Sequence, residues 1–302
     1  MFCTLFVLVQ GQSPCDHRLR GARCRDPNTK EFTMSDNHSV FVGEIPKNYD
    51  EGLGPNIFDF YGSHMAGLVA KRNPSDILEI AAGTGIVTRK IWDAVGEDSQ
   101  LTATDLNDAM LDVAREKFAD PSALTIEPAD AQALPYADDH FDVVTTQFGH
   151  MFFPDRPAAY SEGRRVLRPG GTYLFSTWGS MDQNPFSKLI HGVLAEIFDG
   201  NPPGFYKVPF SLHDPAAILD ELGASGFQNC EHQAVEHQRT IEDVPGFARG
   251  LVYGNPSIDE VRSRGGDPEA ICEQTSERLR DEFGNSPTTM PLLANFFSAT
   301  AP

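Results

Sequence analysis

The feature that most constrains the fold is a glycine turn set between two kinds of periodicity. Asp76-Ile-Leu-Glu-Ile-Ala81 is a short apolar run that ends in Ala82-Gly83-Thr84-Gly85. From Thr84 to Val95 the pattern changes, and Ile86, Val87, Ile91, Ala94 and Val95 recur at helical intervals. A buried strand that turns on glycine into a helix brings backbone close to a ligand and offers it the free N–H groups of the helix start. Asp105 lies 20 residues beyond Gly85, at the end of the next apolar run, Leu101-Thr-Ala-Thr-Asp105. A carboxylate there can accept hydrogen bonds from both hydroxyls of a ribose, so the set predicts a fold that binds a nucleoside cofactor.

The alternation continues. Asn107–Phe118 is predicted helical, Leu124–Ala129 and Phe141–Gln147 read as strands, and Asp155–Leu167 reads as a helix opened by acid and proline. Gly170-Gly171 turns into a further strand, Thr172–Trp178. Strands separated by crossover helices imply a parallel, doubly wound α/β sheet. Beyond Trp178 the pattern differs. Helices are expected at Phe186–Phe198 and from Asp214-Pro215, and strands at Phe227–Arg239 and Leu292–Thr300. Between those strands, residues 242–284 read as a charged helical cap over an edge of the sheet, with breaks at Asn255-Pro256 and Gly265-Gly266.

The choice of cofactor turns on two residues. A dinucleotide site wants a third small residue so that helix and strand can close around a pyrophosphate, and Thr88 stands there instead. Glu79 adds an acid beside the turn, which repels a pyrophosphate and suits an ammonium group.

Taken together, Glu79-Ile-Ala-Ala-Gly-Thr-Gly85 resembles motif I of the class I S-adenosylmethionine-dependent methyltransferases. Ala129-Asp130-Ala131, Leu134-Pro135, Phe141-Asp-Val-Val144, Gln147-Phe-Gly-His150 with Phe153-Pro-Asp155, and Arg164–Gly171 resemble the later segments of that family. The likeness runs from about Tyr49 to Trp178 and is strongest for the small-molecule branch that includes ubiquinone/menaquinone C-methyltransferases. Ala81 departs from it, since many members have glycine there. The resemblance implies a Rossmann-like, doubly wound sheet of seven mainly parallel strands, with a helical N-terminal lid and a helical C-terminal insertion.

It also implies roles. Glu79, Ala81, Gly83, Thr84 and Gly85 would form the turn under the methionine and ribose. Asp105 would hold the ribose hydroxyls, Leu106 and Met110 would pack on the adenine, and Asp130 with the Ala131 N–H would bind its edge. Gln147 and Phe148, at a strand's carboxyl end, would face the donated methyl, and Tyr49 would lie over the cofactor. Methyl transfer mainly needs alignment and exclusion of water. Where a base is needed, His150 is the candidate from its place after the strand; His64 and His191 are weaker ones. Phe205, Tyr206 and Phe210 suggest an apolar or aromatic acceptor pocket.

Composition bounds the rest. The 302 residues carry 24 Lys+Arg against 43 Asp+Glu, a net charge of −19, which argues against nucleic-acid and anionic-membrane partners. The expected partner is a small-molecule acceptor, with no membrane span and with homo-oligomerisation left open. The stretch 1–33 is basic by comparison and holds Cys3, Cys15 and Cys24. It reads as a start placed ahead of Met34, then as a disordered or targeting extension, and last as a signal peptide. Residues 34–75 then form the lid, 76–180 the S-adenosylmethionine-binding core and 181–302 the rest of the sheet with the acceptor region. Cys230 and Cys272 fit no metal spacing, so a reduced, cytoplasmic protein is expected. A nicotinamide-dependent oxidoreductase and a cofactor-binding partner without catalysis remain as alternatives.

Overall fold

The computed structural model describes residues 41–96, 98–119, 122–285 and 287–302. The expected extension 1–33, and residues 34–40 after it, lie outside the described residues.

Seven strands form one sheet. They are β1 (Asp76–Ile80), β2 (Gln100–Asp105), β3 (Leu124–Pro128), β4 (Phe141–Gln147), β5 (Leu167–Trp178), β6 (Gln228–Ile241) and β7 (Thr288–Thr300), in spatial order β3-β2-β1-β4-β5-β7-β6. The first five pair in parallel, and β7 runs antiparallel between β5 and β6. In β1 and β4, Ile77, Leu78, Val143 and Val144 are fully buried, as parallel strands covered on both faces require. β1 pairs with β2 on one side and β4 on the other. The winding reverses there, and the crevice outside the carboxyl ends of an open sheet at such a point is where ligands bind.

The helices begin where acid and proline meet. α5 (Arg156–Val166), α7 (Pro215–Ala224), α8 (Val244–Tyr253) and α10 (Pro268–Phe283) each start behind an aspartate, respectively Asp155, Asp214, Asp243 and Asp267. Each carboxylate accepts from a backbone N–H of the first turn, and each first turn carries a proline that has no N–H to satisfy. α4 (Asp108–Arg115) is capped by Asn107, whose side chain accepts from the Ala109 N–H at 3.0 Å. α3 (Ile86–Ala94) starts at Gly85, which has φ 78°. A Cβ there would stand 2.8 Å from the Ala114 Cβ, so glycine is what lets α3 pack against α4.

Ahead of the sheet, α1 (Ile45–Asn48) leads into a π-helical stretch, Tyr49–Phe58, and then α2 (Asp59–Ala70). α6 (Pro185–Ile197) follows β5, and α8, α9 (Ser257–Ser263) and α10 form the insertion between β6 and β7, broken near Asn255-Pro256 and Gly265-Gly266 as expected. Leu251 and Asn255, from and just after α8, line the cavity at the carboxyl ends of the strands, so the cap closes the ligand end. The reason is α8's packing partner: it meets the π-helical stretch through Gly52 and Gly250.

Candidate active site

A cavity of about 320 Å³ opens at the carboxyl ends of β1, β2, β4 and β5. That volume is typical of a small-molecule site. Its floor is the glycine turn. Gly83 takes φ 57° and Gly85 φ 78°, and Ala81 also adopts a left-handed φ of 56°, which strains a residue with a Cβ. Asp105 locks this turn: Oδ2 accepts from the Gly83 N–H at 2.9 Å, and Oδ1 accepts from the Asn107 N–H at 2.9 Å. Burial pushes the Asp105 carboxyl above its ordinary pKa, against the three backbone N–H groups of Asn107, Gly83 and Leu106 that favour its ionised form.

At the β3 end, Asp130 and Ala131 line the same cavity, with Asp130 Oδ1 accepting from the Gln132 N–H at 2.8 Å. Met110 of α4 and the half-exposed Leu106 complete this side. Gln147 and Phe148 stand opposite, at the end of β4. Gln147 Nε2 donates to the Phe58 carbonyl at 3.4 Å, and Phe148 stacks on Trp178 with centroids 3.9 Å apart and planes 3° apart. Tyr49 closes over the turn and stacks on Phe58. Its hydroxyl is pushed up by burial and by the charge of Asp105.

The cavity thus gathers Tyr49, Ala81, Gly83, Asp105, Leu106, Met110, Asp130, Ala131, Gln147 and Phe148. Four expected residues do not line it. Thr84 and Gly85 lie behind the turn; the Thr84 carbonyl accepts from Lys117 Nζ at 2.7 Å, and Lys117 also pairs with Asp50 beside Tyr49. Glu79 is buried inside β1, with its carboxyl pushed up to about 8 by loss of solvation, partly offset by the Thr88 hydroxyl.

His150 is the larger correction. The chain after β4 turns it away from the cavity into a fully buried nest of Tyr160, Tyr173 and Phe175, with Nε2 2.9 Å from the Tyr173 hydroxyl. Burial lowers its pKa to about 3, so it is a neutral core residue at neutral pH. His64 packs on Phe296 over β7, and neither it nor His191 lines the cavity.

The far half of the cavity is apolar. Phe205, Tyr206 and Phe210 line it as expected. Sequence reasoning missed Trp178 and Asn255. Trp178 ends β5, so the strand-end argument used for Gln147 would have found it. Asn255 is visible only once α8 is placed: its Nδ2 donates to the Leu251 carbonyl and to the Tyr206 hydroxyl, at 2.6 and 3.2 Å, which fixes that wall.

Comparisons with known proteins bear on this arrangement. Residues 78–175 match a family described as a methyltransferase domain. The ubiquinone/menaquinone biosynthesis C-methyltransferase UbiE of Shewanella piezotolerans is 39% identical over 126 residues, 41% of this chain and 47% of that protein. Its counterpart from Shewanella frigidimarina is 39% identical over 143 residues, covering 46% and 54%. Residues 78–175 are thus similar to a methyltransferase domain, while the chain spans about half the length of the curated relatives it matches. Among solved structures, phosphoethanolamine N-methyltransferase 2 of Haemonchus contortus, in complex with S-adenosyl-L-methionine, superposes with a TM-score of 0.56 at 19% identity, over 91% of this chain and 61% of that one. The YcgJ protein of Bacillus subtilis gives 0.50 at 19% identity, over 78% and 97%. These likenesses show the fold, a Rossmann-like seven-stranded sheet.

Proposed function

We propose that the chain transfers a methyl group from S-adenosylmethionine to a small apolar or aromatic molecule. One observation carries the reading: a single cavity runs from the Gly83 turn, Asp105 and Asp130 to a chamber walled by Phe58, Trp178 and Phe210. The nucleoside end fits the cofactor, because a carboxylate already fixed by two backbone N–H groups still lines the cavity, while Met110 and Ala131 offer apolar surface beside it. When bound, the cofactor supplies an electrophilic methyl on a sulfonium.

This chain's residues do the rest. Asp105 holds the ribose, Asp130 and Ala131 the adenine edge, and Gln147 and Phe148 face the reacting end. The lid residues Tyr49, Leu53 and Ile57 exclude water, which matters because methyl transfer depends on alignment in a dry site. With His150 in the core, no histidine, lysine, arginine or cysteine lines the cavity among the described residues. A small-molecule acceptor in a reducing, cytoplasmic setting fits the −19 charge and the free Cys230 and Cys272.

Calorimetric titration with S-adenosylhomocysteine and with NADH tests the cofactor, and labelled S-adenosylmethionine with a panel of phenols, quinols, amines and thiols tests the transfer. Binding of S-adenosylhomocysteine and a labelled product are expected. Tight binding of NADH alone would overturn the reading. Cofactor binding with no product across the panel would favour a non-catalytic partner.

A further inference from the structure

The acceptor chamber is ringed by aromatic side chains drawn from separate parts of the chain. Tyr49 stacks on Phe58 with centroids 4.9 Å apart, Phe58 stands 6.1 Å from Trp178, and Trp178 stands 6.0 Å from Phe210. On the other side Phe41 meets Tyr49 at 6.1 Å and Phe205 at 6.5 Å. All six line the cavity; Phe41, Tyr49 and Phe205 are partly exposed, while Phe58, Trp178 and Phe210 are buried and one face of Trp178 is covered by Phe148.

The charges around this ring are as informative. Among the described lining residues the only acidic or basic side chains, tyrosines aside, are Asp105 and Asp130, both at the nucleoside end. The Tyr49 and Tyr206 hydroxyls, pushed up by burial, stay protonated. No cationic side chain lines the chamber among the described residues, and a chain of net charge −19 disfavours bringing an anion in. Aromatic faces, in contrast, attract a positive charge placed against them.

We infer that the chamber is an aromatic cage for an amine, and that the chain methylates nitrogen. The inference rests on the methyl-transfer reading and narrows its acceptor. A neutral nitrogen's lone pair forms the new N–C bond as the C–S bond breaks, and that bond's electron pair goes to sulfur. The positive charge passes from sulfur to nitrogen and stays within the ring of aromatic faces. The product ammonium keeps its proton until it reaches water, so the step balances without a base. A neutral hydroxyl would need a base in the chamber, and a phenolate would need a cation.

The test compares two probes of one shape. Phenyltrimethylammonium and tert-butylbenzene, which differ in charge, are titrated calorimetrically into the full chain, with and without saturating S-adenosylhomocysteine. The onium should bind at least tenfold more tightly. Phe205→Leu and Phe210→Leu, which keep apolar bulk and remove a π face, should each cut that preference severalfold with an unchanged fold by circular dichroism. Equal or tighter binding of tert-butylbenzene overturns the cage, as does a preference untouched in both variants. With S-adenosylmethionine, N-methylaniline should give N,N-dimethylaniline by mass spectrometry; anisole from phenol instead, or neither product, overturns the assignment to nitrogen. Failure to bind S-adenosylhomocysteine strikes the methyl-transfer reading, while the isostere comparison on the protein alone still decides the cage.

Discussion

Gly52 and Gly250 pack backbone against backbone. A Cβ on Gly52 would stand 2.6 Å from the Gly250 Cα, and one on Gly250 would stand 2.7 Å from the Gly52 carbonyl carbon. The contact joins the π-helical stretch to α8, and so joins Leu53 and Ile57 to Leu251 and Asn255 across the cavity. Gly52→Ala or Gly250→Ala is expected to cost about 1–3 kcal/mol, the range for overpacking a close contact. Urea unfolding measures it, and a loss below a few tenths would show that the two segments part easily.

Asp105 holds the turn as well as facing the cavity, so its substitution should affect both. Asp105→Ala removes the acceptor for the Gly83 and Asn107 N–H groups. We expect S-adenosylhomocysteine affinity to fall by about 3–6 kcal/mol, on the order of two hydrogen bonds to a charged group. Calorimetry on the folded variant checks this, and unchanged affinity would mean that the ribose is held elsewhere.

Ala81 sits where many of the proteins it resembles have glycine, and its φ of 56° shows what the substitution entails. A left-handed alanine carries about 1–2 kcal/mol of strain, while glycine at the same place adds about 0.5–1 kcal/mol of backbone entropy to the unfolded chain. Ala81→Gly should therefore stabilise the fold by up to about 1 kcal/mol, read as a rise in urea midpoint with unchanged slope. A clear destabilisation would mean that the Ala81 methyl contributes more by packing than the strain costs.

His150 predicts a pH dependence of stability. The unfolded side chain titrates near 6.5 and the folded one near about 3. Above pH 6.5 neither state binds the proton and its contribution is fully present. As the pH falls below 6.5, the unfolded chain takes up a proton that the fold refuses, and stability drops until about pH 3. Between pH 7 and pH 5 the loss from this residue is about 2 kcal/mol. The pH 7 to pH 5 difference in unfolding free energy should shrink by that amount in His150→Phe. An identical difference in both proteins would show that His150 takes up its proton as readily in the fold as in the unfolded chain.

Much of this fold is legible in residue order, for identifiable reasons. β4 begins at Phe141 and ends at Gln147 as the apolar run does, because a strand buried on both faces has little choice of composition. Helix starts are legible where aspartate precedes proline, because capping and φ restriction act within a few residues. The π-helical stretch is not, since Gly52, Gly54 and Pro55 are loop formers whose order comes from contact with α8. The nucleoside end of the site follows from motif spacing. Which way His150 points does not, because a position three residues past a strand leaves either side of the sheet open, and the Tyr160–Tyr173 pair that takes it in is distant in sequence.

The placement of β7 has a consequence for how the chain is made. Its residues 288–300 are the only link between β6 and the rest of the sheet among the described strands. β6, more than 40 residues upstream, has no strand to join until β7 has left the ribosome. The cap helices that wall the chamber lie between these two strands. The nucleoside half can therefore assemble early in synthesis, while β6 stays unpaired over its fourteen residues until residues 288–300 follow.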